Sequence, residues 1–142
     1  MGAWGAGSFE NDDAMDWVDT LVEASTVEVL ADSLKPALTP RSYLEAPEAS
    51  VVVAAAEVVA AALGSPVGNL PADVTDWVAT HAADFDGGIE ADAIRAIDRV
   101  TSDSELRELW EESDTAEEWK AAVTDLRSRL LKPGSTEAPL IR

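Results

Sequence analysis

The chain contains no cysteine, which excludes disulfides, thiolate metal sites and cysteine nucleophiles together. Histidine occurs once, as His81, too few for the imidazole-rich sites that zinc and iron prefer. A Ser-His-Asp relay would rest on that one residue, and no Gly-x-Ser-x-Gly elbow accompanies it. Basic residues are scarce: 10 Lys and Arg stand against 28 Asp and Glu, a net charge of −18. Such a surface repels nucleic-acid phosphates and anionic lipid and attracts basic partners or cations. Long hydrophobic runs are missing too. The longest apolar stretch, Val51 to Leu63, is interrupted by Glu57 and is too short to cross a bilayer. No basic region followed by an apolar stretch opens the chain, and Ala6 stands where a myristoylation site requires serine or threonine. These absences predict a soluble, cytoplasmic protein with no cofactor, contacting neither nucleic acid nor membrane.

What is present is helical periodicity. The 142 residues, 46% hydrophobic, suffice for a single core. Ala14, Trp17, Val18, Leu21 and Val22 make one apolar stripe, with Asp12, Asp16, Asp19 and Glu23 opposite. Val27, Leu30, Ala31 and Leu34 make a second, opened by a Ser25–Glu28 capping-box spacing and ended by Pro36. From Pro47 to Leu63 the pattern is apolar on nearly every face, with proline in the first turn and Gly64 just past the end, which predicts a central helix. Val74, Trp77, Val78, His81 and Phe85 mark a fourth stripe, and Ile89, Ala93, Ile97 and Val100 a fifth. Ser102 or Asp103 can cap a short sixth helix with Leu106, Leu109 and Trp110; a Thr115–Glu118 box opens the last, with Trp119, Val123, Leu126 and Leu130. We expect an all-α fold, a single helical domain over residues 1–131 with six to seven helices, and a flexible tail over 132–142.

Several motifs invite a functional reading. Gly2 to Gly7 could cradle a phosphate, but no strand precedes it, no lysine follows, and Asn11, Asp12 and Asp13 would repel the anion. It reads better as a loop docked on the bundle, with Trp4 plugging a groove and Asn11 capping the first helix. Asp12 and Asp16, four apart, could join Glu57 around a hard cation, although acids in a first turn already have a reason in the helix dipole. Asp84 to Glu90 resembles part of an EF-hand loop, but Ala82 and Ala93 replace its two end ligands, leaving a helix–helix turn. His81 lies on an apolar stripe and reads as a half-buried packing residue. Glu57 is the one charge in the central apolar segment, so it must be protonated, paired, hydrogen-bonded or directed to a cleft. We expect its donors in the Gly2 to Phe9 loop: at least one backbone amide or the Trp4 indole.

The opening Gly2, Trp4, Gly5, Gly7, Phe9, Asn11, Asp12, Ala14, Asp16 and Trp17, the central Ala54 to Ala61, and Ser104 to Trp110 leading to Trp119 together resemble the bacterial family catalogued as domain of unknown function 4259. The resemblance runs to about Leu130 and implies that Trp4, Asn11, Asp12 and Glu57 belong to the family pattern. It carries over no catalytic residue. With no catalytic constellation and an acidic surface, the expected function is a non-catalytic protein-binding module, immunity- or antitoxin-like, engaging a basic partner. The rival is a metal-assisted enzyme or small-ligand binder using Asp12, Asp16 and Glu57. A nucleic-acid mimic would need a single carboxylate ridge, whereas the acids are spread over every helix.

Overall fold

Each apolar stripe turns one helix face inward, and the helices assemble around the segment with no polar face. The computed structural model describes residues 5, 7–39, 43–68, 70–85 and 88–131; the tail expected from 132 onward lies outside them. Among the described residues are seven α-helices and no strand: α1 Asp12–Glu23, α2 Glu28–Leu38, α3 Ala46–Ala62, α4 Ala72–His81, α5 Gly88–Ser102, α6 Glu105–Glu111 and α7 Ala116–Leu131. A single 3-10 turn, Ala82–Asp84, follows α4.

α3 packs against each of the other six α-helices. Residues 52 to 60 along it are all buried, and the alanines among them let neighbouring backbones come close. Val52, Val58 and Val59 are fully buried, each contributing about 1.5–3 kcal/mol of apolar transfer. The helix begins with Pro47 in its first turn and ends at Gly64, whose φ of 98° suits a residue without Cβ. There the Gly64 and Ser65 amides donate to the Ala61 and Ala60 carbonyls at 3.1 and 2.9 Å, closing the last turn.

Asn11 caps α1 as its position predicts, accepting from the Ala14 amide at 2.8 Å. The other caps differ from expectation. α2 starts at Glu28 behind Val27 with no side-chain cap, so the Ser25–Glu28 box does not form. Nor does Pro36 end that helix: it continues to Leu38, because burying Ala37 outweighs one missing hydrogen bond near the exposed end. α6 is capped by Ser104 rather than Ser102 or Asp103. The Asp103 amide still donates to the Arg99 carbonyl at 2.8 Å and so completes α5, leaving extended Ser104 to accept from Arg107 at 3.1 Å. At α7 the Thr115 hydroxyl lies 3.4 Å from that of Ser113 instead of on the Glu118 amide.

The stripe tryptophans are core residues, and two of their indoles donate within the bundle. Trp17 donates to Ser33 Oγ at 2.9 Å, tying α1 to α2, and Trp77 donates to the Ala24 carbonyl at 3.1 Å. Trp110 and Trp119 stack nearly parallel, joining α6 to α7.

Candidate functional site

The N-terminal segment reaches the centre of the bundle through a tight turn. The Glu10 amide donates to the Gly7 carbonyl at 3.0 Å, and the Glu10 carboxylate folds back to accept from the Gly7 amide at 2.8 Å. A Cβ on Gly5 or Gly7 would strike that carboxylate, so small residues let it lie against the loop. The turn sends the Phe9 ring into the core and aims the Ser8 hydroxyl at α3.

Glu57 is 1% exposed and does meet this loop, but not by the route expected. Ser8 Oγ donates to Glu57 Oε2 at 2.7 Å: a hydroxyl, not an amide or an indole. Trp4 lies outside the described residues. The principal partner is Arg129, near the end of α7, whose two terminal nitrogens donate to Oε1 and Oε2 at 2.9 and 3.1 Å. The forked geometry of guanidinium matches a carboxylate, and this is why arginine rather than lysine suits the position. Arg129 also donates to the Ser65 carbonyl at 3.1 Å and, through Nε, to Asp125 at 2.8 Å. Burial of the guanidinium opposes its charge, yet the hydrogen bonds and negative charge of Glu57, joined by Asp125, outweigh it and hold the Arg129 pKa above the ordinary arginine value. A carboxylate with both oxygens so engaged is a packing pin joining the N-terminal turn, α3 and α7.

Sequence reasoning missed Ser8, Glu10 and Arg129. The signal for Arg129 was its place beside the Leu126 and Leu130 stripe, where a cation faces inward and needs an anion. Ser8 carried no comparable signal.

The other predicted site residues stand apart from this pin. Asp12 and Asp16 are exposed on α1, and among the described residues no three His, Asp or Glu side chains gather as a metal site would need. The structure therefore does not bring Asp12, Asp16 and Glu57 together. His81 stacks on Trp77 with ring centroids 4.2 Å apart and lies half-buried. Asp86 and Gly87 of the EF-hand-like segment lie outside the described residues; Asp84 ends the 3-10 turn.

Charge is divided unevenly. Lys35, Arg95, Arg99, Arg107, Arg127 and Arg129 all pair with acids of this same chain. The outer face of α1 carries exposed Asp12, Asp16, Asp19 and Glu23, with no ion-pair partner among the described residues.

No helix among the described residues is long and apolar enough to cross a membrane. No curated protein and no solved structure matches the chain. The model of the family described as Domain of unknown function (DUF4259) matches residues 2–122, taking in Ser8, Asn11 and Glu57 but stopping short of Arg129, and the chain belongs to that family.

Proposed function

We propose that the chain is a non-catalytic protein-binding module that engages a basic partner, in the manner of an immunity protein or an antitoxin. The supporting observation is the distribution of charge: of the described Lys and Arg all but Lys120 sit in internal pairs, while the α1 carboxylates Asp12, Asp16, Asp19 and Glu23 face water unpaired among the described residues. Their spacing of four, three and four residues aligns them along one side of the helix. Complementary charge there accelerates encounter and makes association sensitive to salt.

The test compares the natural chain with two variants of equal net charge as baits for proteins of the host cell. One neutralises α1 (Asp12→Asn, Asp16→Asn, Asp19→Asn, Glu23→Gln); the other neutralises exposed acids elsewhere (Asp73→Asn, Asp76→Asn, Glu117→Gln, Glu118→Gln). A basic partner should be retained at low salt, released at high salt, lost by the α1 variant and kept by the control. A partner indifferent to salt, or equal loss in both variants, contradicts the proposal.

A further inference from the structure

A cavity of about 220 Å³ lies between the N-terminal turn and the helices α1, α3, α6 and α7. Its walls are mainly apolar: Val53 of α3, Leu106 and Leu109 of α6, and the Trp110–Trp119 pair, whose rings lie 6.3 Å apart at 6°. An apolar cavity of about 150 Å³ already accepts a benzene ring, so this one has room for a ring and a short chain.

Its polar lining is selective. Ser50 projects from α3, is only 6% exposed, and has no hydrogen-bond partner among the described residues. No buried side-chain polar atom among the described residues lacks a partner, so this hydroxyl opens on the cavity, where water or a ligand group can meet it. Ser8 commits its proton to Glu57, so toward the cavity its oxygen can only accept. Asp13, exposed at the edge, can only accept while ionised, and no Lys, Arg or His is among the described lining residues. Asn11, whose Oδ1 is taken by the Ala14 amide, and the Ser50 hydroxyl can also donate, so charge is what selects. Asp13 is the one ionisable residue of the described lining, and a ligand that fits is apolar at one end and cationic at the other.

The geometry points to this cavity as a binding site for a small aromatic amine, its ring against Trp110 and Trp119 and its ammonium directed to Ser50, Ser8 and Asp13. The site borrows Asp13 from α1 but none of the four carboxylates of its outer face, and it does not depend on the protein-binding reading.

Phenethylamine is a suitable probe, with phenethyl alcohol and phenylpropionate varying the head group and methylamine removing the ring. Binding is followed through the indole N–H resonances of Trp110 and Trp119, with those of Trp17 and Trp77 as internal references. The amine should saturate one site, shift the first pair of resonances, and bind about tenfold more tightly than the alcohol, as expected for a charged over a neutral hydrogen bond. Asp13→Asn should bring the amine to the affinity of the alcohol and leave the alcohol unchanged. Ser50→Val, which fills space and deletes the hydroxyl, should weaken both. Asp13 is exposed, so Asp13→Asn keeps the test decisive if Ser50→Val misfolds. Equal affinity for all head groups, shifts no different from those given by methylamine, or no saturation overturns the proposal. So does binding to Trp4→Ala protein alone, since the cavity would then serve the chain's own N-terminus.

Discussion

Glu57 and Arg129 differ in what each leaves behind when the other is removed. The Glu57 side chain is 2% exposed, whereas that of Arg129 is 16% exposed and retains Asp125 and the Ser65 carbonyl. Arg129→Met strands a carboxylate with only Ser8 to answer it, and we expect a loss of about 3–5 kcal/mol in urea denaturation. Glu57→Gln keeps the shape and leaves a cation that still has partners, so the expected loss is smaller, about 1.5–3 kcal/mol. Replacing both by Met removes the charges together and should recover most of the stability, because desolvating an ion pair offsets much of its attraction. Equal losses for the two single variants would contradict this asymmetry. Tyr43, the one tyrosine, offers an optical check of local electrostatics. Partial loss of water and a 3.1 Å hydrogen bond to Glu108, with Glu105 and Asp103 adding repulsion, hold its hydroxyl pKa above the usual tyrosine value. Its absorbance titration should therefore lie at higher pH than that of free tyrosine, and Glu108→Gln should move it down.

At the scale of elements, the end of α3 does more than stop a helix. Gly64 at φ 98° turns the chain so that the Ser65 carbonyl meets Arg129. Gly64→Ala places a Cβ in the left-handed region, for which we expect a loss of about 1–2 kcal/mol in urea denaturation. Part of that loss should vanish in an Arg129→Met background, because the two changes share the Ser65 contact. Strict additivity would mean that the turn and the ion pair are independent. The first helix shows the opposite economy. Its cap, Asn11 to Ala14, is closed by residues three apart and is legible without knowing anything else about the fold.

For the molecule as a whole, a net charge of −18 on 142 residues sets self-repulsion against a core organised around one helix. Its surface pairs, such as Arg95–Asp92 and Arg107–Glu111, are exposed enough to contribute little. Screening should therefore relieve more repulsion than it costs in attraction. We expect the melting temperature to rise between low salt and about 0.5 M sodium chloride, as the screening length falls below about 10 Å. A fall would mean that the ion pairs outweigh the repulsion. The rise should be smaller in the variant with Asp12, Asp16, Asp19 and Glu23 neutralised, whose net charge is less negative.

Sequence alone determined what depends on near neighbours. The apolar spacing of three and four residues predicts which face of each helix turns inward, and Trp17, Trp77, Trp110 and Trp119 are buried on those faces. Gly64 past an apolar run marks the end of α3, and the absence of a polar face along that run marks its central place. Burial of Glu57 follows from the same pattern. Its partners do not: Ser8 lies 49 residues away and Arg129 lies 72 residues away. Although the place of Arg129 beside the Leu126 and Leu130 stripe marks it as facing inward, nothing local says which anion it meets. The missed boundaries have the same origin. Pro36 stays inside α2 because Ala37 is buried against the bundle, and Ser104 caps α6 because α5 runs on to hold Asp103. The cavity with the unpaired Ser50 hydroxyl exists only where the N-terminal turn meets four helices. Hydrogen-bond ladders and stripes repeat every few residues and so are written in order along the chain. Ion pairs and cavities arise between surfaces that only packing brings face to face.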